Sequence, residues 1–307
     1  MKIVFLGTPK FGADILNGLL DAGREIVAVV CQPDRRGNRN KTEACQVKRV
    51  AEQRNLKVFQ FEKISSDGAE DLKKLSADVF ITAAYGQMLS EEILSIPKFG
   101  VFNAHGSLLP KYRGAAPVQT AIMNGDGETG VTIMKTCLAM DSGDIAARRK
   151  VDIAAADTAG TLLDKLAVQA VSALEEVLDK LENGSLSLEK QDEKSATYCG
   201  KISGEMAEID WKMSAEEIFN RIRAFNPSPI ASTTLNGVNF KIYQSEIVDG
   251  HGGAPGEIVM CDKNAVVVSC GVGCLRLVSM QLSGGKVLGY RDFVNGRKIK
   301  TGDILGK

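Results

Sequence analysis

The sequence is poor in histidine, has no net charge and lacks long apolar runs. Only two of its 307 residues are histidines, and 38 Lys and Arg residues balance 38 Asp and Glu residues. A chain without net charge has no overall field that would draw it to nucleic acid or a membrane, although a local basic patch stays compatible with this balance. No stretch approaches the roughly 20 apolar residues of a membrane-spanning helix. Residues 1–7 are interpreted as a first strand rather than a signal peptide, so we expect a cytoplasmic protein.

Paired cysteine motifs are also absent. The seven cysteines are an odd number, and no two of them form a Cys-x-x-Cys pair. Cys270 and Cys274 are four residues apart, but no histidine lies near them to complete a zinc site. We therefore expect free thiols in a reducing compartment, and we expect no metal.

The first half of the chain alternates strands with helices. Residues 3–7 and 25–30 read as buried strands, and residues 13–22 between them have apolar side chains at helical spacing. A strand, a helix and a strand within about thirty residues form a βαβ unit of a parallel sheet. The spacing Gly7-x-x-x-x-Gly12 is not a dinucleotide fingerprint and no Walker lysine follows it, so we do not expect a nucleotide cofactor there.

The second half of the chain has a different pattern of predicted elements. A long helical pattern ends at Gly184, and a charged stretch typical of a linker follows it. Beyond the linker, one helix and five short strands separated by turns predict a small β-barrel. The predicted strands cover residues 231–235, 239–247, 256–260, 265–269 and 275–281. The predicted organisation is an α/β domain at 1–188, a linker at 189–207 and a barrel domain at 208–307.

The candidate catalytic residues lie in a turn-rich stretch in the middle of the chain. Asn103 and His105 are two residues apart on a predicted strand, so both side chains point to one face. A Ser-Leu-Leu-Pro turn ends this strand, and we do not expect the nearby Arg113 in a core. Asp141, which shares a glycine-containing loop with Asp144, could set the tautomer of the histidine. These carboxylates could instead only cap a turn.

A basic stretch follows the second predicted strand. Residues 34–57 contain eight Lys and Arg residues against three Asp and Glu residues. Its first part is too polar for regular structure, and loops at the carboxyl edge of a parallel sheet commonly bind ligands. This stretch therefore either contacts an anionic partner or is an ordinary solvated surface.

Taken together, these segments resemble the folate-dependent formyltransferases. The pair Asn103-x-His105 followed by Ser-Leu-Leu-Pro, with Asp141-x-Gly-Asp144 downstream, is similar to the catalytic core of that family. Further similar segments run in order over almost the whole chain: Phe5-Leu-Gly-Thr-Pro9, Gln32-Pro-Asp-Arg35, Lys111-Tyr-Arg-Gly-Ala-Ala-Pro117, Gly130-Val-Thr-Ile-Met134, Ile209-Asp-Trp211, Arg223-Ala-Phe-Asn-Pro227 and Asp292-Phe-Val-Asn-Gly-Arg297. The resemblance implies a Rossmann-like, doubly wound parallel sheet in the first domain and an OB-like β-barrel in the second.

The resemblance also implies an activity. This activity is transfer of the formyl group of 10-formyltetrahydrofolate to the α-amino group of methionyl initiator tRNA, by a monomer and without a metal. Asn103, His105 and Asp141 fall on the catalytic positions of the family. The implied folate-binding residues are Tyr85, Gly86, Met88, Ser107, Leu108, Leu109 and Pro110. The implied tRNA-binding residues are Arg35, Arg36, Arg39 and Lys41, with Arg39 as the key arginine.

Two other functions stay open from the sequence. One is a related formyltransferase that acts on an amino-sugar nucleotide or on glycinamide ribonucleotide; the barrel and the basic stretch speak against the single-domain purine enzyme. The other is a non-catalytic RNA-binding protein on a Rossmann-like scaffold, which would leave Asn103, His105 and Asp141 unexplained.

Overall fold

The structure is a computed structural model, and it describes residues 1–36, 42–250, 252–296 and 298–307. Across these four ranges, none of the helices combines the length and the apolar character needed to cross a membrane.

The chain divides into two units, and each unit is built from three segments of the sequence. The first unit comprises Met1–Pro117, Glu128–Asp152 and Leu163–Cys199, and the second comprises Val118–Gly127, Ile153–Leu162 and Gly200–Lys307.

The elements up to residue 199 include both strands and helices, and most neighbouring strands of the central sheet are connected through a helix. In chain order these elements are β1 (Lys2–Gly7), α1 (Lys10–Asp21), β2 (Glu25–Cys31), β3 (Arg35–Arg36), β4 (Thr42–Glu43), α2 (Gln46–Gln53), β5 (Val58–Gln60), α3 (Ile64–Asp67), α4 (Ala69–Lys73), β6 (Val79–Ala83), α5 (Glu91–Leu94), β7 (Val101–His105), β8 (Arg113–Gly114), α6 (Pro117–Met123), β9 (Glu128–Lys135), β10 (Ile145–Asp152), α7 (Ala159–Glu182) and β11 (Tyr198–Cys199).

A seven-stranded sheet forms the centre of the first unit, in the order β10-β9-β7-β6-β1-β2-β5. The five strands from β7 to β5 are parallel, which confirms the predicted α/β fold, and β9 and β10 extend the sheet in antiparallel fashion. The central strands are almost entirely apolar and buried, as expected where helices cover both faces of a sheet. The strand order changes direction between β1 and β6, and ligands commonly bind at the carboxyl ends of strands at such a point.

From residue 200 onwards, the described part of the second unit contains an antiparallel sheet and two α-helices. These elements are α8 (Ala215–Ala224), β12 (Ser232–Leu235), β13 (Val238–Val248), β14 (Ile258–Cys261), β15 (Val266–Ser269), β16 (Cys274–Leu282), β17 (Leu288–Gly289) and α9 (Tyr290–Asn295). The sheet has the order β12-β13-β16-β15-β14, with β17 paired to β16. The five predicted barrel strands are confirmed, with ends that differ by about two residues, as is usual for strand boundaries.

The two edges of this sheet are joined by the last residues of the chain. Leu305 pairs with Leu235 at the end of β12, and Ile304 pairs with Glu257 beside β14. The Leu305 amide donates to the Gly256 carbonyl at 2.8 Å. These contacts turn the open sheet into the partly closed, OB-like barrel that the resemblance implied.

The closure predicts a stability effect. Leu305 is 2% exposed, so Leu305→Ala should leave a cavity and lower the free energy of unfolding of the second unit by about 2–5 kcal/mol. Urea unfolding followed by the fluorescence of Trp211 measures it, because the only tryptophan of the chain lies buried in this unit. The control Val287→Ala, at a side chain that is 46% exposed, should change stability by less than about 0.5 kcal/mol. Equal stability of the two variants would contradict the closure.

Candidate active site

Asn103 lies at the carboxyl end of β7, beside β6. It is the register partner of Thr82 on β6, and the Thr82 hydroxyl donates to Asn103 Oδ1 at 2.8 Å. This bond fixes the carboxamide, because its oxygen is occupied and its nitrogen must then point the other way. Within the described ranges Asn103 Nδ2 has no hydrogen-bond partner, and the side chain is half-buried. The NH₂ group of Asn103 is therefore oriented and available to donate a hydrogen bond to a substrate oxygen.

His105 is the last residue of β7 and is almost buried, with 6% exposure. Its Nε2 lies 2.9 Å from the Tyr112 carbonyl oxygen. A carbonyl only accepts, so Nε2 carries a hydrogen and donates it. Its Nδ1 lies 3.7 Å from Asp141 Oδ2, which is within ion-pair range but longer than a hydrogen bond. The structure thus brings the predicted imidazole and carboxylate together.

Asp141 is held through both its side chain and its main chain. Its Oδ2 accepts a hydrogen bond from the Gly114 amide at 2.8 Å. Its φ of 49° is in the left-handed region, which aspartate tolerates better than most residues. Gln191 Nε2 donates to the carbonyl oxygens of Asp141 and Gly143, both at 2.8 Å. These bonds fix the position of the carboxylate that faces His105.

Arg113 lies in the interior, so the expectation that it stays outside a core is wrong. Its side chain is only 2% exposed. The guanidinium donates to Gln191 Oε1 at 3.1 and 2.8 Å and to the Glu193 carboxylate at 2.8 and 2.7 Å. The Glu193 carboxylate raises the pKa of Arg113, against the opposing effect of burial. The guanidinium can be buried because its planar set of N–H donors matches the positions of the acceptor oxygens on Gln191 and Glu193.

The implied folate-binding residues follow the carboxyl ends of two neighbouring parallel strands. Tyr85, Gly86 and Met88 follow β6, and residues 107–110 follow β7. The Tyr85 hydroxyl is buried and has no hydrogen-bond partner among the described residues, whereas the Met88 side chain is 57% exposed. Gly86 has a φ of 87°, a conformation that favours glycine.

Within the second group, two residues are buried and two are half-exposed. Ser107 is fully buried and its hydroxyl donates to the Lys111 carbonyl at 2.5 Å. Leu109 is 2% exposed, and its amide donates to the Thr132 hydroxyl at 3.0 Å. Leu108 and Pro110 are half-buried, so their side chains present the accessible apolar surface of this turn.

The implied tRNA-binding residues lie on the basic stretch after β2. Arg35 and Arg36 form β3, which pairs with β4. Arg39 and Lys41 lie outside the described residues.

The residues that hold the site were missed by the sequence reasoning. Thr82 could have been found, because a register of two adjacent parallel strands places it beside Asn103. Gln191 gave no signal, because it lies in a charged stretch that reads as a linker. In the part of the chain that the structure describes, no three His, Cys, Asp or Glu side chains are grouped so that they could hold a metal ion.

Comparisons with known proteins agree over both units. A family model described as formyl transferase matches residues 1–178, and a second one, described as the C-terminal domain of formyl transferase, matches residues 201–298. The methionyl-tRNA formyltransferase of Caldanaerobacter subterraneus subsp. tengcongensis is 42% identical over 308 residues, which is 99% of this chain and 100% of that protein. The methionyl-tRNA formyltransferase of Stutzerimonas stutzeri is 42% identical over 311 residues, covering 100% of this chain and 99% of that protein.

Solved structures share the fold at lower identity. A methionyl-tRNA formyltransferase from Clostridium thermocellum has a TM-score of 0.58 at 17% identity and covers 82% of this chain and 95% of its own. An N-formyltransferase from Helicobacter canadensis, in complex with folinic acid and dTDP-3-aminofucose, has a TM-score of 0.67 at 20% identity and covers 90% and 98%. HypX from Aquifex aeolicus, in complex with tetrahydrofolic acid, has a TM-score of 0.69 at 18% identity; this chain is covered to 96% but spans only 47% of the HypX chain. Because the first family model covers more than half of the sequence and the full-length relatives are 42% identical, the chain belongs to the formyl transferase family.

Proposed function

We propose that this chain transfers the formyl group of 10-formyltetrahydrofolate to the α-amino group of methionyl initiator tRNA, and so produces N-formylmethionyl-tRNA for translation initiation. The observation that carries the proposal is the full-length match to relatives named methionyl-tRNA formyltransferase, at 42% identity. We further propose that it acts in the cytoplasm as a monomer; light scattering of the purified chain tests the oligomeric state.

Asn103 is the donor in this proposal. Amine attack on a formyl carbon builds negative charge on the formyl oxygen, and oriented N–H groups stabilise such charge. Nδ2 of Asn103 is already aimed, because the Thr82 hydroxyl occupies the carboxamide oxygen. Little reorganisation is then needed as the charge develops.

In this proposal, His105 and Asp141 help to move the proton that the attacking amine loses. Because Nε2 of His105 already donates to the Tyr112 carbonyl, the exchangeable position is Nδ1, which faces Asp141. A proton held at Nδ1 gives the ring a positive charge near the developing oxyanion, and Asp141 balances that charge. The Gly114 amide keeps the carboxylate in place while the proton moves.

The residues after β6 and β7 fit a folate co-substrate, which supplies the activated N-formyl group. The buried Tyr85 hydroxyl without a partner among the described residues is a polar atom that a heterocycle could satisfy. Half-exposed Leu108 and Pro110 and exposed Met88 offer apolar surface for its flat ring. Ser107 and Leu109 would shape the turn rather than contact the ring, because both side chains are buried.

A small amine acceptor is the second candidate, because an N-formyltransferase in complex with folinic acid and dTDP-3-aminofucose shares the fold with a TM-score of 0.67. Its identity of 20% is far below the 42% of the tRNA enzymes. The deciding experiment offers 10-formyltetrahydrofolate with methionyl initiator tRNA, elongator methionyl-tRNA, glycinamide ribonucleotide or an amino-sugar nucleotide. Transfer to the initiator alone is expected. Transfer to a small amine would show that this amine, and not tRNA, is the formyl acceptor. Binding of tRNA without formyl transfer would favour a non-catalytic RNA-binding protein.

The catalytic assignment predicts kinetic losses in turnover rather than in binding. Asn103→Ala should lower kcat by about 10²–10³-fold, because one oxyanion donor is lost. His105→Ala should lower it by about 10²–10⁴-fold, as expected for an acid or base group. Steady-state kinetics measures both, with the exposed neighbour variant Lys111→Ala as the control. Weaker substrate binding with intact kcat would remove Asn103 and His105 from catalysis.

Gln191 is proposed to position Asp141, and two variants test this role. Gln191→Ala removes both donated bonds and leaves the buried Arg113 with fewer acceptors, so kcat should fall about 10–100-fold with loss of stability. Gln191→Glu keeps the acceptor for Arg113 but cannot donate to the Asp141 and Gly143 carbonyls. Its carboxylate oxygen would instead face both carbonyl oxygens, so kcat should fall even at temperatures at which the variant is fully folded, whereas the exposed control Lys190→Ala should change neither kcat nor the melting temperature. A fully active Gln191→Glu enzyme would contradict the positioning role.

Arg39 is proposed to contact tRNA phosphate. Arg39→Ala should weaken binding of methionyl initiator tRNA, leave folate binding unchanged and reduce the slope of log affinity against log salt by about one. Filter binding or fluorescence titration between low and physiological salt measures that slope, with the exposed Lys74→Ala as the charge-matched control. An unchanged slope would mean that Arg39 belongs to an ordinary solvated surface.

A further inference from the structure

A residue from the predicted linker holds the turn that follows β7. Thr197 directly precedes β11 and lies 85 residues beyond Tyr112. Its amide donates to the Pro110 carbonyl at 3.2 Å, and its carbonyl accepts from the Arg113 amide at 2.8 Å. Between these two main-chain bonds, its hydroxyl accepts from the Tyr112 amide at 2.8 Å. One residue thus holds the main chain on both sides of Tyr112, within the first unit.

Tyr112 needs this support because its backbone conformation is unusual. Its φ of 58° is in the left-handed region, which residues with a bulky side chain rarely adopt. Such a conformation persists only where the surrounding contacts hold it. The Thr197 hydroxyl binds the Tyr112 amide in this conformation. The direction of the Tyr112 carbonyl oxygen depends on the same backbone angles, so Thr197 helps to set that direction.

The Tyr112 carbonyl in turn faces the imidazole of His105. Nε2 of His105 donates to this oxygen at 2.9 Å, and the Cys199 thiol donates to it at 3.5 Å. On the other side of the ring, Nδ1 lies 3.7 Å from Asp141 Oδ2. A neutral imidazole carries one N–H hydrogen, so the carbonyl and the carboxylate compete for it. The hydrogen stays on Nε2 because 2.9 Å is a hydrogen-bond distance and 3.7 Å is not.

We propose that Thr197 is a positioning residue that holds the Tyr112 carbonyl against Nε2 of His105 and so keeps the neutral ring in its Nε2–H tautomer. If the carbonyl turned away, the hydrogen would move to Nδ1, where the Asp141 carboxylate would accept it. A hydrogen already present on Nδ1 would block the nitrogen that takes up a proton from the attacking amine. This consequence for catalysis rests on the proposed function, but the tautomer itself does not.

The alternative is that the Thr197 hydroxyl only caps an exposed turn, where water could replace it. Three variants separate these two roles. Thr197→Val keeps the branched shape and both main-chain bonds but leaves the Tyr112 amide without its acceptor. Thr197→Ser keeps the hydroxyl. Ser195→Ala is the matched control, because it removes an exposed hydroxyl of the same segment that donates to Asp192 instead.

Nitrogen-15 NMR of the histidine rings measures the tautomer without any activity measurement. The chain has only two histidines, His105 and His251, so His251→Gln identifies both sets of ring signals. The full-length protein is labelled with nitrogen-15 histidine and measured at alkaline pH, where imidazole is neutral. His105 should show a hydrogen on Nε2 and none on Nδ1. Thr197→Val should shift its ring signals towards the Nδ1–H form, whereas Thr197→Ser and Ser195→Ala should keep the original spectrum.

Two spectra would each overturn the proposal. One is a spectrum of the unmodified protein with the His105 hydrogen on Nδ1, which needs no variant to fold. The other is a Thr197→Val spectrum identical to that of the unmodified protein, which would leave the hydroxyl as a cap of the turn.

Formyl-transfer kinetics tests the consequence for catalysis. Thr197→Val should lower kcat about 10–100-fold with KM unchanged, and Thr197→Ser should restore kcat. An equal loss of kcat in Thr197→Ser would contradict the positioning role of the hydroxyl. If the unmodified protein transferred no formyl group, the proposed function would fail, whereas the tautomer measured by NMR would still support or contradict the role of Thr197.

Discussion

The geometry of the site depends on the hydrogen bonds that the buried guanidinium of Arg113 makes. This guanidinium draws the carboxamide of Gln191 and the carboxylate of Glu193 to the turn after β7. Gln191 then reaches the main chain of the loop that carries Asp141. Three segments that are distant in sequence are fixed around one cation. Removing one member of such a buried network leaves a charge without its partners, which costs far more than the network adds to stability.

The predictable part of the site is the part set by local geometry. Asn103 and His105 share a face because side chains alternate along a strand, and that rule needs no knowledge of the rest of the fold. The order of strands and helices could be predicted for the same reason, since burial on both faces of a parallel sheet leaves continuous apolar runs. The barrel strands could be predicted from the alternation of apolar and polar residues and from the turns between them. The closure by Ile304 and Leu305 could not, because two bridging residues are too few to show a periodic pattern.

The unpredicted part of the site depends on contacts between distant residues. Gln191 is 50 residues from Asp141, and its charged, polar surroundings are those of a solvated linker. Arg113 was expected outside the core because a lone arginine is costly to bury, which is correct for a lone arginine. Its burial follows from acceptors 78 and 80 residues away, which composition near Arg113 does not reveal. The residues proposed to do the chemistry can thus be predicted locally, whereas those that hold them in place cannot.

Asp141 illustrates why the residues around it matter for the proposed mechanism. A carboxylate at 3.7 Å from a histidine nitrogen is close enough to stabilise a charged ring but too far to hold its proton in a hydrogen bond. That distance persists only if the carboxylate cannot advance, and the Gly114 amide on its Oδ2 provides the restraint. The left-handed backbone of Asp141 would relax without a second restraint, which Gln191 supplies at the carbonyl oxygen. In the proposed mechanism, His105 Nδ1 can therefore gain and lose a proton without a direct hydrogen bond to Asp141, while the Gly114 amide holds the carboxylate in place.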